Sequence, residues 1–218
     1  DWPASVTRYL EQLHQVESAT EPTSLEALFS KAGAIQDAVM LIKGDQAWLE
    51  TLEEAEFRSL SRALRGLRVS RGYDVYAQPD PDFWLSLAQQ HGLDADRAFF
   101  QVYRRSWGED LIPTYLRLTA RVSPCVRFNE NVIQDLYADW TAFRIAHPQA
   151  YVDAASQTVL DLEEVVQLGT CACGNQDSVE RELRGFVQRF PQSAVKAGIL
   201  QRLQQLEDDP TTLPVNCR

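Results

Sequence analysis

The sequence predicts an all-α protein, an irregular or orthogonal bundle of about nine or ten helices whose C-terminal half is stapled by disulfides. Three observations carry this. Apolar residues recur at helical spacing along almost all of the 218 residues. Capping residues and Pro or Gly breaks punctuate that pattern at intervals typical of helices. All four cysteines, Cys125, Cys171, Cys173 and Cys217, fall after residue 124. With 44% hydrophobic residues the chain can bury a sizeable core. A single domain over residues 1–218 is expected, with a sub-division into N-terminal helices (1–66) and a stapled body (80–218) as the alternative.

Taken in order, Val6, Tyr9, Leu10, Leu13 and Val16 form a first stripe after Pro3, a residue tolerated at a helix start. Thr23 and Glu26 read as a capping box opening a second helix, with Leu25, Leu28, Phe29, Ala32, Ile35 and Val39 on its apolar face and Gly44 at its end. Asp45 is expected to cap a long third helix running through Trp48, Leu49, Leu52, Leu60, Leu64 and Leu67. Between Gly66 and Gln78 the pattern lapses into Val69, Tyr73, Val75 and Tyr76, the one plausible strand region, so at most one short β-hairpin is expected near residues 67–77.

Asp80 followed by Pro81 is a strong helix start, and Asp94 opens the next helix. Phe99 and Phe100 point to different faces of that helix, so a second layer or a partner must cover one of them. Pro113 and Ser123–Pro124 interrupt the chain before Cys125. Helices are then expected from Val132 past Phe143, from Tyr151 to Leu168 with Gly169 as the stop, from Asp177 or Ser178 to Phe190, and from Ser193 to Leu206, before a tail with Pro210 and Pro214.

Four cysteines and a first residue, Asp1, that is not methionine fit an exported protein, so a periplasmic or secreted location is expected. A bridge between Cys171 and Cys173 would be badly strained. The remaining pairings are Cys125 with Cys171 and Cys173 with Cys217, slightly preferred, or the crossed Cys125 with Cys173 and Cys171 with Cys217. Zinc is disfavoured because paired Cys-x2-4-Cys units are absent. No stretch is long and apolar enough to cross a bilayer.

The formal charge of −10 is uneven: −8 over residues 1–57, +4 over 58–127 and −6 over 128–218. Such a chain is a poor general nucleic-acid binder, since that affinity rests on neutralising phosphates, and a basic protein partner is easier to accommodate. The +4 segment contains Arg58, Arg62, Arg65, Arg68 and Arg71, spaced by four and three residues. If one helix carried them all they would form a basic edge, the candidate partner-binding residues of this sequence.

Catalytic motifs are wanting. His14, His91 and His147 are scattered, and no Gly-x-Ser-x-Gly elbow, phosphate loop or dinucleotide fingerprint occurs. Asp80 with Asp82 and Asp94 with Asp96 have a calcium-loop look without the rest of the loop, so helix capping explains them. Glu17–Ser18 resembles the catalytic Glu-Ser of helical lytic transglycosylases, yet the Gly-Ala-x-Gly-Leu-Met-Gln segment of that family has no counterpart here. No catalytic residue, metal or cofactor is expected. The reading that results is an acidic extracytoplasmic protein that docks another protein, as an inhibitor or immunity-type neutraliser of an envelope-targeting enzyme. The alternatives are a carboxylate-dependent hydrolase of envelope glycan and a structural or secreted effector. Neither the partner's identity nor the oligomeric state follows from the sequence.

Overall fold

The computed structural model describes residues 2–40, 47–71, 75–109, 111–118, 124–169 and 171–208. It is mostly helical, as expected, and divides into two compact units, 1–104 and 105–218. The hairpin that the sequence offered as a seam therefore lies inside the first unit.

In the first unit α1 (Ala4–Ser18) starts behind Pro3, and α2 (Glu26–Ala34) leads into α3 (Gln36–Met40). The capping box at Thr23 and Glu26 does not form. Asp96, only 1% exposed, caps instead: its carboxylate accepts the Leu25 N–H at 3.0 Å and the Leu93 N–H at 2.8 Å, starting α2 and α7 with one side chain. Thr23 pairs with Gly92 in an isolated parallel bridge.

The long third helix is corrected too. It is two pieces, α4 (Ala47–Glu50) and α5 (Glu54–Ala63), because Glu53 is extended and forms a capping box with Glu56. Asp45 and Gly44 lie outside the described residues. Then Leu64 leaves helical geometry and Gly66 takes a φ of 80°, turning the chain into β1 (Leu67–Arg71), which pairs antiparallel with β2 (Val75–Pro79). Asp80 caps α6 (Pro81–His91) as expected, accepting the Asp82 N–H at 3.1 Å. The helix α7 (Asp94–Ser106) follows.

The core of this unit is aromatic. Phe29 meets Trp84, Phe99, Phe100 and Tyr103 edge-on, with centroids 5.1 to 5.5 Å away. The opposite faces expected of Phe99 and Phe100 are not seen: both are buried with ring centroids 5.1 Å apart, Phe29 packs against both, and Trp84 stacks on Phe100.

Among its described residues the second unit contains a two-residue antiparallel ladder, β3 (Leu116–Arg117) with β4 (Cys125–Val126), and four helices: α8 (Val132–Ala146), α9 (Val152–Leu168), α10 (Gln176–Arg189) and α11 (Lys196–Asp208). Gly169 ends α9 as expected. The cap of α10 is Asn175, which accepts the Ser178 N–H at 3.1 Å, in place of Asp177 or Ser178. α8 packs on α9, and α11 on both α9 and α10, around Trp140, Phe143, Leu162, Val166, Leu183, Phe186 and Leu203.

The disulfide joins Cys125 to Cys173, with Cα atoms 4.9 Å apart, which corrects the preferred Cys125–Cys171 pairing. The local backbone gives the reason. Val126 donates to the Cys171 carbonyl and accepts from the Cys173 N–H, both at 2.8 Å, laying this segment alongside β4. Cys171 holds a φ of 60°, which turns its side chain off the line a regular strand would follow, and Cys173 meets Cys125. Cys171 is itself disulfide-bonded. Cys217, Pro210 and Pro214 lie outside the described residues, as do Gly72, Tyr73 and Ser123.

Candidate functional site

The five arginines do not share one edge. Arg58 and Arg62 are on α5, Arg65 is in the turn after it, and Arg68 and Arg71 are on β1. Their charge is also largely answered locally. Arg58 pairs with Glu54 at 3.4 Å, Arg65 with Glu17 at 2.5 Å, Arg68 with Asp80 at 2.7 Å and Asp82 at 3.2 Å, and Arg71 with Glu54. Arg71 further donates to the Leu52 carbonyl and lies over the Phe57 ring, 4.3 Å from its centroid, fastening β1 to the start of α5. Arg62 gives its Nε to the Arg58 carbonyl at 3.3 Å.

Glu17 lies in a cleft of about 460 Å³ lined by Arg65, Phe83, Ser86, Gln90 and His91. Both of its oxygens face the Arg65 guanidinium, at 2.6 and 2.5 Å. That two-pronged pair engages both carboxylate oxygens with one guanidinium. Asp80 and Asp82 are held by Arg68, and Asp82 also by Arg104. Together with the capping role of Asp96, this leaves neither aspartate pair as a calcium loop. Among the described residues no group of three or more His, Cys, Asp or Glu could hold a metal.

The carboxylate that burial pushes upward is Glu182 on α10. It is 1% exposed and packed inside the second unit, with Oε2 accepting the Asn129 N–H at 2.6 Å. None of the clefts described here includes it.

α9 behaves differently from the other surface elements. Ala155, Val159, Leu162 and Val166 face the core, following the helical repeat. The opposite face holds Asp153, Gln157, Leu160, Asp161, Glu164 and Leu168, all exposed. Leu160 is 56% and Leu168 69% exposed, two turns apart on a stripe through Glu164. α9 carries four carboxylates, Asp153, Asp161, Glu163 and Glu164, and no basic residue. Among the described residues no cation lies within ion-pair distance of any of them. Glu163 accepts from the Tyr137 hydroxyl at 2.9 Å and Asp161 from the Gln157 amide at 2.8 Å.

Beside this face runs a groove of about 320 Å³ lined by Tyr115, Asp161, Glu164, Val165, Leu168 and Gly169. The Tyr115 phenol is pushed above its ordinary range, by burial first and then by the charges of Asp161 and Glu164. The end of α9 that walls the groove is held from inside. Arg202, 6% exposed, donates to the carbonyls of Val166 at 2.8 Å, Val165 at 3.4 Å and Gly169. Its guanidinium is brought down to about 10 by burial.

Positive charge in the arginine run is the conspicuous feature of the sequence, and α9 carries no comparable motif. The signal there was compositional: four acids, no base, and leucines on both sides of the helix.

No protein-family model, curated protein or solved structure matches the chain.

Proposed function

We propose that this protein is an extracytoplasmic docking protein that uses the outer face of α9 to hold a basic partner protein, in the manner of an inhibitor or immunity-type neutraliser. The observation that carries this is the pairing of uncompensated acid with exposed leucine on one helix face. Several arginines elsewhere, among them Arg65, Arg68, Arg117 and Arg189, sit against carboxylates. On α9 Asp153, Asp161 and Glu164 are exposed with no cation within ion-pair distance among the described residues, and Leu160 and Leu168 are exposed on the same face. An apolar anchor with a charged rim is what a docking surface needs: the anchor supplies affinity, the rim steers encounter and selects the partner. The Cys125–Cys173 bridge supports an oxidising compartment. No helix among the described residues is long and apolar enough to cross a membrane.

The test is differential capture. The immobilised protein and its Asp153→Asn, Asp161→Asn, Glu164→Gln variant, altered only at exposed positions, are exposed to an envelope extract of the source organism. Basic proteins retained by the first and lost from the second are the expected result, with retention falling as salt rises. Identical retained sets would overturn the proposal.

A further inference from the structure

Two neighbouring carboxylates on a helix are ordinarily a solvated face. Asp161 and Glu164 differ because they rim a groove with apolar walls. Val165 and Leu168 continue it toward the C-terminus of α9, and Tyr115 stands across from the acids, close enough for their charges to act on its phenol. Along about 10 Å of helix the lining thus passes from anionic to aliphatic. At about 320 Å³ the groove is too small for a segment of folded protein and large enough for one long side chain.

That order of chemistry is the complement of an arginine: a flexible apolar stem ending in a planar cation. A guanidinium presents donors in a fork that two carboxylates can accept together, and it is weakly hydrated and stacks on aromatic rings. A lysine ammonium satisfies the charge but is strongly hydrated and presents no plane to Tyr115. The wall is also preformed, because Arg202 holds the last carbonyls of α9 in place. Little ordering is then needed when a side chain enters.

Resting on the docking reading above, we infer that the groove between Tyr115 and the last turns of α9 is the seat for a single arginine side chain of the partner, the guanidinium between Asp161 and Glu164 and the stem along Val165 and Leu168.

The test needs no knowledge of the partner. Butylguanidinium is titrated into the intact, oxidised protein and followed by backbone amide shifts, with butylammonium and the neutral butylurea in parallel. The expected result is a saturable response centred on Tyr115, Asp161, Glu164 and Leu168, roughly fivefold weaker for butylurea and lost in the Asp161→Asn, Glu164→Gln variant. Butylammonium should bind more weakly than butylguanidinium. In a difference titration against Tyr115→Phe, the bound cation should also bring the Tyr115 phenol back toward its ordinary value. A response from butylurea equal to that from butylguanidinium, or none at these residues, overturns the inference; an equal or stronger butylammonium response overturns the choice of arginine. The failures are separable. Charge-dependent capture on α9 without a guanidinium response removes the arginine seat alone, whereas loss of charge-dependent capture removes the docking face itself.

Discussion

The phenol of Tyr9 on α1 donates a 2.8 Å hydrogen bond to the main-chain carbonyl of Arg65, 56 positions later in the chain. The next carbonyl, that of Gly66, accepts from the Trp84 indole at 2.9 Å. Two aromatic side chains thus hold the turn by which α5 gives way to β1. Gly66 has a φ of 80°, and a Cβ there would run into the Tyr9 hydroxyl. Tyr9→Phe should cost about 1 kcal/mol in urea unfolding, the net worth of one buried hydrogen bond. Gly66→Ala should cost more, adding steric collision to roughly 1 kcal/mol for the left-handed backbone. Because the collision is with the hydroxyl, the alanine should be milder in the Tyr9→Phe background; strict additivity would show that the two residues do not act through this contact.

The bridge between Cys125 and Cys173 spans 48 positions. Closing a loop of that size is worth about 4 kcal/mol in the chain-entropy model. Replacing both cysteines with serine should lower the unfolding midpoint of the second unit, read by thermal or urea denaturation. Chemical reduction of the wild type should destabilise at least as much.

Glu182 sets a pH dependence whose sign follows from its burial. Its folded-state carboxyl titrates above the unfolded value near 4.5, so the native state binds the proton more tightly. The resulting penalty is full above the folded value, shrinks as pH falls through it, and is gone once both states are protonated. Glu182→Gln should therefore be more stable than wild type at pH 7, with the advantage fading toward about pH 4. Glu130 runs the other way: hydrogen bonds from Arg127, then the charges of Arg127 and Arg117, hold its carboxyl low. Its contribution is present above the unfolded value and lost as pH falls. Chemical denaturation of Glu182→Gln and Glu130→Gln across this range should give profiles of opposite slope; parallel profiles would contradict the assignment.

Among the described residues no carboxylate pairs with buried Arg202, whose donors go to the end of α9. Arg202→Ala removes the partner of three carbonyls and should cost about 3 kcal/mol or more. Arg202→Lys keeps the charge but not the fork, so it should recover only part of that loss. Amide exchange should quicken first over residues 165–169, the wall of the proposed arginine seat.

Most helices were legible because burial imposes the 3.6-residue repeat directly on sequence, as in α1, α8 and α9. The hairpin was legible from the lapse of that repeat at Gly66. What escaped depended on partners distant in sequence. The cap of α2 is Asp96, 71 positions from the Leu25 amide it serves, and nothing near Thr23 announces it. The extended Glu53 split a helix that apolar spacing alone would have continued. The arginine run looked like one edge because periodicity does not reveal where a helix stops, and its ion pairs with Glu17 and Asp80 come from other elements. The cysteine pairing turned on one left-handed residue, Cys171. The α9 face could be seen as composition, but its lack of counter-charges among the described residues is a property of three-dimensional surroundings.

The ring closed by Cys125 and Cys173 encloses the whole of α8 and α9. A protease that cuts once anywhere between those cysteines, including the exposed tips of α9, produces no separate fragment: both sides of the cut remain covalently tied. The outer face of α9 can thus be nicked without being shed, and two cuts within the ring are needed before any piece carrying it can leave.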